Sequence, residues 1–316
     1  MKFKLIIAMS VLILPISTNI VAQNVEFYNQ VIRYGTDLDI ASAFANVTEN
    51  LDDEINEGIL VLFQEEHSVE VFSALVRYIA AFELKTAEET LVNELYNGHA
   101  DEDYREIVIY ALGVTGSRSA LKVLRSYYVN NKSTKRIKKA IIDAWGQIGD
   151  ISIEDALIEI LTDTREDDEL KGRAILALGQ VKSIRSLDLL EEIARNNYEN
   201  KYLRMYAVHS LGKIGGESVL DILGELLQDE THEVAEYAVK GISDIDSAKS
   251  GEYLVQALRS DFDRVRYFAV IGLAEKKYVD AVEILTFKAE YDMNEQVRIE
   301  AKKALESIQA GVETDN

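Results

Sequence analysis

The sequence predicts an all-α fold built from repeated antiparallel helix pairs, and three observations carry that prediction. A small residue, most often glycine, recurs every 31–33 positions. Apolar residues stand at fixed distances before and after it, with the spacing of one helical face. The one proline, Pro15, lies near the N-terminus, so helix can follow helix with few forced breaks.

The chain opens with MKFKLIIAMSVLILPISTNIVAQ: Lys2 and Lys4, an apolar run from Leu5 to Ile16, and a short polar stretch ending at Ala22. This is the order of a secretory signal peptide, and the run is shorter than the ~20 residues that span a bilayer. Cleavage after Ala22 is expected, with a retained membrane anchor as the alternative. Ile20 departs from the small residue such sites favour three places earlier. Removing residues 1–22 takes away two lysines and leaves 32 basic against 55 acidic residues, a net charge of about −23. Such a surface repels phosphate backbones and anionic lipid. No nucleic acid is therefore expected as a partner, and no membrane insertion once the signal is cut. The chain has no cysteine, which excludes a disulfide, a thiolate metal site and a cysteine nucleophile.

Stepping back by 33 from Gly212, the marks fall on Gly179, Gly146, Gly113 and Ala80; forward, at steps of 31 and 32, they fall on Ser243, Ala274 and Glu306. Nine, five and one residues before each mark every repeat is apolar or nearly so, as with Ile137, Ile141 and Trp145, or Leu203, Ala207 and Leu211. Steps of four put these columns on one face of a helix. Each such helix has a start signal four residues before its basic column: Ser68, Asp101, Thr134, Asp167, Asn200, Thr231 and Asn294, with Phe262 between Asp261 and Asp263 as the exception. A second helix follows, marked eleven residues past the glycine by Leu91, Leu124, Leu157, Leu190, Leu223, Leu254 and Leu285. The stretch LGKIGG, Leu211 to Gly216, is then the joint between two helices, recurring as LGVTG at 112–116 and WGQIG at 145–149. A phosphate-cradling loop would follow a strand and occur once.

These residues carry a family resemblance. The segment Leu203 to Asp229, LRMYAVHSLGKIGGESVLDILGELLQD, resembles a HEAT repeat of the bacterial kind related to phycobilisome-lyase repeats. The resemblance covers about residues 68–309, and the segments 37–48 and 51–66 look like a degenerate N-terminal repeat. It implies a right-handed α-solenoid, a HEAT-like superhelix, with first helices on the convex side and second helices lining the concave one. The expected organisation is a signal peptide at 1–22, a degenerate helical repeat at 23–67, a repeat array at 68–310 and a polar tail at 311–316. Arrays of this kind serve mostly as binding surfaces.

Enzymes of this fold set tests that the residues answer. The di-iron hydroxylases carry His-Glu pairs on several first helices, whereas this chain has one, His232–Glu233, with Glu106–Ile107, Lys139–Ala140 and Met205–Tyr206 at the corresponding helices. No iron site follows from those. His67 and His99, near Glu65 and Glu66, read as polar turn residues. No metal, no cofactor and no catalytic residue is expected. Residues 107–142 hold no acid and eight basic residues, seven of them from Arg118 to Lys138 and the eighth Lys139. The basic stretch reads either as an anion site or as a register ladder, since residues 33 apart occupy neighbouring repeats. On the ladder reading Lys135 falls between Glu102 and Asp168, and Arg136 between Asp103 and Glu169. Tyr206, Tyr237 and Phe268 form a further column, read as packing between repeats or as an aromatic ligand cage.

The binding surface expected is on the second helices. Nine residues past the mark stand Glu89, Lys122, Asp155, Asp188, Asp221, Glu252 and Glu283; four further on, in the central repeats, stand Glu159, Glu192 and Glu225. Asp155, Glu159, Asp188, Glu192, Asp221 and Glu225 should thus form two acidic rows opposite the leucines. They read either as a merely solvated face or as a groove whose stacked like charges a cationic partner would relieve, a basic protein segment before divalent cations. The function expected is that of a secreted or periplasmic, non-enzymatic protein-binding scaffold or adaptor. The alternatives are an enzyme or enzyme-assisting subunit akin to lyase-related HEAT proteins, or a purely structural envelope protein.

Overall fold

The computed structural model describes residues 16–45, 47–97, 101–130 and 133–314, and among them there are eighteen α-helices and no strand. The chain divides into two compact units, Met1–Thr115 and Gly116–Asn316. The division falls inside the 68–310 segment, just after the first helix of one repeat.

The first unit holds α1 (Ile16–Tyr34), α2 (Asp37–Phe44), α3 (Asp53–Leu62), α4 (Val69–Ala81), α5 (Glu88–Asn97) and α6 (Glu102–Val114). Helix α1 starts within the expected signal segment and runs through Ala22; residues 1–15 lie outside the described part. Helix α2 packs on α4, and α4 on α6, as successive first helices of an array do. Rings fill the seams: Tyr28 meets Phe44 at 5.3 Å and Phe44 meets Tyr78 at 5.7 Å. The Tyr78 hydroxyl accepts from the Leu51 amide at 2.8 Å and donates to Asn56, so the buried phenol leaves no polar atom stranded.

The second unit holds α7 (Leu121–Val129), α8 (Lys135–Ile148), α9 (Glu154–Thr162), α10 (Asp168–Gln180), α11 (Leu187–Arg195), α12 (Lys201–Ile214), α13 (Glu217–Leu226), α14 (His232–Asp244), α15 (Ala248–Ala257), α16 (Asp263–Glu275), α17 (Val282–Tyr291) and α18 (Glu295–Thr314). Even-numbered helices are the first helices of their pairs and stack in sequence, α8 on α10, α12, α14, α16 and α18. The core is made by the predicted columns. Ile141, Ala174, Ala207, Ala238, Ala269 and Ala301 are fully buried, as are Leu124, Leu157, Leu190, Leu223, Leu254 and Leu285 on the second helices.

Helix starts follow the cap residues. The side chains of Asp101, Thr134, Asp167, Asn200 and Asn294 accept from backbone amides of their own first turns. Ser68 and Thr231 cap by position without that bond, and the Thr231 hydroxyl is taken up by Arg204 at 3.3 Å.

The glycine motif has two separate functions, and here the structure corrects the reading of LGKIGG as a joint throughout. Gly212 lies inside α12, not in the turn, as Gly179 and Gly146 lie inside α10 and α8. A methyl group on Gly212 would stand 2.7 Å from Gly241 Cα, and one on Gly179 would stand 2.8 Å from Ser210 Cα. The mark is therefore small because consecutive first helices cross there almost backbone to backbone. The final glycines are the ones that turn the chain, Gly116 and Gly149 at φ 69° and Gly215 and Gly216 at φ 72° and 95°. Lys182 takes the same left-handed place at φ 54° without glycine's freedom.

Candidate functional site

The six acids of the second helices sit on α9, α11 and α13, and all are exposed. Three are tied by cations from adjoining repeats. Arg185, in the tight turn before α11, donates from Nη1 to Asp155 at 2.6 Å. Arg195 Nη1 donates to Glu225 at 2.5 Å while its Nε holds Glu191 at 2.8 Å. Lys249 Nζ lies 2.5 Å from Asp221, which also accepts from the Tyr253 hydroxyl at 2.6 Å. The Lys249 ammonium, and after it the Tyr253 hydroxyl, holds the Asp221 carboxyl below the usual range. No cation of the described residues stands within 4.0 Å of Glu159, Asp188 or Glu192. The repulsion that the columns imply is thus relieved from within at half of the positions, and three acids remain as an uncompensated patch across α9 and α11.

The basic stretch is engaged along one side. Lys135 Nζ lies 2.8 Å from Asp167 and 2.9 Å from Glu169, and Lys139 Nζ lies 2.5 Å from Glu169. Asp168 does not join them; it accepts from Asn200 at 3.0 Å. Successive helical residues point about 100° apart, so the neighbours of Asp168 face α8 while Asp168 faces α12. Arg136 is exposed on α8, and Glu102 and Asp103 stand in the first turn of α6, in the other unit. Arg118 reaches Asp150 at 3.3 Å, and Lys138 lies over the Tyr128 ring. Asp155, the carboxylate one period past Lys122, is paired with Arg185.

The structure adds two buried ion-pair networks that were not anticipated. Arg204 on α12 is 4% exposed; its Nε donates to the Ala194 carbonyl at 2.9 Å, and its Nη2 binds Asp229. Arg266 on α16 clasps Asp292 with two bonds of 2.8 and 2.9 Å and donates to the carbonyls of Ser260 and Asp261. Lys288 adds a third cation contact to Asp292 at 3.1 Å, and Asp292 is 1% exposed. Burial raises the Asp292 pKa, but the bonds from Arg266, the Asn294 amide and Lys288 outweigh it and bring it to about 2. Both arginines stand eight residues before a mark, in the basic column that precedes each helix face. That spacing was the available signal, with an aspartate 25 or 26 residues on as its partner.

On the first-helix face, Tyr237 and Phe268 hold a cation of the chain itself: Lys240 Nζ lies 5.3 and 4.0 Å from their ring centres and pairs with Glu236 at 2.6 Å. Tyr206 instead packs on Gly172. His209 meets the Tyr237 ring edge-on at 5.7 Å, and burial lowers its pKa. His67 is bonded to Asp37 at 2.8 Å, while His99 lies outside the described residues. His232 pairs with its neighbour Glu233, its one carboxylate contact among the described residues. Among the described residues no group of three or more His, Asp or Glu side chains is placed to hold a metal ion, and no helix is long and apolar enough to cross a membrane.

Stacked helix pairs joined by buried apolar columns and inter-repeat ion pairs define an α-solenoid of the HEAT-like class. A family described as spirochaete HEAT repeat protein matches residues 32–313, and the chain belongs to that family. No curated protein matches the sequence significantly. Solved structures similar to it include the CpcE–CpcF complex of phycocyanin lyase from a Nostoc species, at 15% identity and TM-score 0.48, over 83% of this chain and 98% of that one. Human deoxyhypusine hydroxylase is similar at 15% identity and TM-score 0.37, over 94% and 99% of the two chains. An engineered protein is similar at 18% identity and TM-score 0.44, over 94% and 97%. No residue role passes from these proteins to this chain.

Proposed function

We propose that the chain is an exported, non-catalytic scaffold that binds a basic segment of another protein on the exposed face of its second helices. The observation that carries this reading is the uncompensated patch of Glu159, Asp188 and Glu192, flanked by acids already neutralised from within. Internal cations occupy the edges of the face, so the remaining charge is concentrated where neighbouring repeats supply none. Among the perturbed carboxylates of the second unit, Asp163, Asp221, Glu236 and Asp292 are each explained by a cation that pairs with it, and they lie apart along the array.

The test begins with crosslinked affinity purification of the mature protein from its own envelope and identification of what is held. Replacing Glu159, Asp188 and Glu192 by Gln, Asn and Gln should then weaken that complex. At ~0.5 kcal/mol for each exposed charge the total is about 1.5 kcal/mol, roughly tenfold at low salt. The wild-type affinity should fall as salt is raised, and the variant's should fall less. Equal affinities without salt dependence would remove this face from the account.

Export rests on the order of Lys2 and Lys4, the apolar run and Ala22. Intact-mass measurement of native protein should place the N-terminus at Gln23 or within two residues of it; protein still carrying Met1 would refute export by cleavage.

A further inference from the structure

The acidic face of the second unit does not end as it runs. Thirteen residues past the mark, α9, α11 and α13 carry Glu159, Glu192 and Glu225, α15 carries Gln256, and α17 carries Phe287. Phe287 is 57% exposed and Tyr291, one turn on, is 66% exposed. Their rings lie 5.3 Å apart, and Met293 beside them is 95% exposed. Single exposed apolar residues are ordinary, but these three border one cleft of about 640 Å³. The cleft is bounded by the turn before α16 and the turn after α17, and Phe262 supplies further apolar wall.

Charge decides what could fill it. The two cations among the lining residues, Arg266 and Lys288, are both bound to Asp292. Asp263 accepts from Asn294 at 2.6 Å, and Asp261 is exposed at the rim. An acidic segment or an anionic lipid surface would meet carboxylates with no free cation, and a second copy of this chain would bring its own acids to them. A cationic segment with one large apolar side chain meets neither penalty.

We propose that the cleft of Phe287, Tyr291 and Met293 anchors a large apolar side chain at one end of the basic segment bound along α9, α11 and α13. The inference rests on the basic-segment reading given above and adds a direction to it. From α9 to α17 there are four steps between neighbouring second helices, at ~9–10 Å each roughly 40 Å. An extended segment of about a dozen residues spans that distance. The acids supply attraction and register, and the aromatic end supplies the desolvated contact on which affinity mostly depends.

The experiment uses three labelled twelve-residue peptides of alternating lysine and serine: one without tryptophan, one with tryptophan at the N-terminal end, one with it at the C-terminal end. Binding to the mature chain is measured by fluorescence anisotropy at low salt. One of the two tryptophan peptides should bind about tenfold or more tighter than the peptide without it. The double variant Phe287→Glu with Tyr291→Asn should erase that advantage while binding the tryptophan-free peptide at least as well, because Phe287→Glu restores the acid that the central repeats carry there. Met293→Ser, outside any helix, should reduce the advantage by roughly threefold without touching the helices. If all three peptides bind alike and salt-dependently, or if the advantage survives in both variants, the anchor is refuted and the basic-segment reading stands. If no peptide binds at low salt, the basic-segment reading falls and the anchor with it.

Discussion

Replacing Asp292 by alanine should destabilise the protein by about 3–5 kcal/mol, the cost of leaving a buried charge without its partner. Arg266 and Lys288 both end on this carboxylate, and at 1% exposure no water replaces it. Asp292→Asn keeps the shape and one acceptor and should cost less. The same carboxylate sets a pH dependence. Its pKa is held at about 2 in the folded protein, below the usual value for aspartate. The stabilisation is therefore fully present above about pH 4 and is lost as the pH falls towards 2. Denaturant unfolding measured from pH 5 to pH 2 should show a loss of stability that is smaller in Asp292→Asn. Equal pH slopes in the two proteins would show that the network does not carry the acid sensitivity.

The second large effect is expected at Gly212. Alanine is the better helix former by ~1 kcal/mol, so on propensity alone Gly212→Ala should stabilise α12. The structure reverses the sign: the new methyl group would stand 2.7 Å from Gly241 Cα, and backbone atoms cannot turn aside as a side chain can. Forcing α12 and α14 apart should cost about 1–3 kcal/mol, and more when Gly241→Ala is added. Gly149→Ala is the control. A methyl group there would meet nothing nearer than 3.9 Å, and the residue is strained only by its left-handed φ of 69°, so its cost of about 1 kcal/mol should leave the helix crossing intact. Thermal unfolding of the three variants separates the cases, and a melting temperature for Gly212→Ala at or above wild type would refute the crossing argument.

The fold was legible because its signal was repeated. One apolar residue at nine, five or one positions before a mark means little, but the same residue type at eight marks fixes helix, face and period together. The purpose of the mark was not legible. Gly212 and Gly215 stand three residues apart in one motif, and a sequence does not distinguish small for contact from flexible for a turn. At the candidate site, the acids and their exposure followed from the helical wheel. Their partners did not, because Arg185, Arg195 and Lys249 come from other columns and reach across repeats by side-chain length, not by register. Asp168 shows the same limit from the other side: a period of 33 brings it opposite Lys135 in sequence, yet the one-residue rotation of the helix hands that role to Asp167 and Glu169.

Arg204 has a consequence for how the chain can be cut. Its guanidinium is satisfied by Ala194 at the end of α11, by Asp229 after α13 and by Thr231 at the threshold of α14. A fragment that ends neatly with α13 keeps both helices of the pair and still strands that arginine. Arg266 makes the same demand on Asp292, in the turn between α17 and α18. The unit that folds is thus out of phase with the helix pair: it closes only with the turn that leads into the next first helix, and a shortened chain keeps its buried arginine paired only if it keeps that turn.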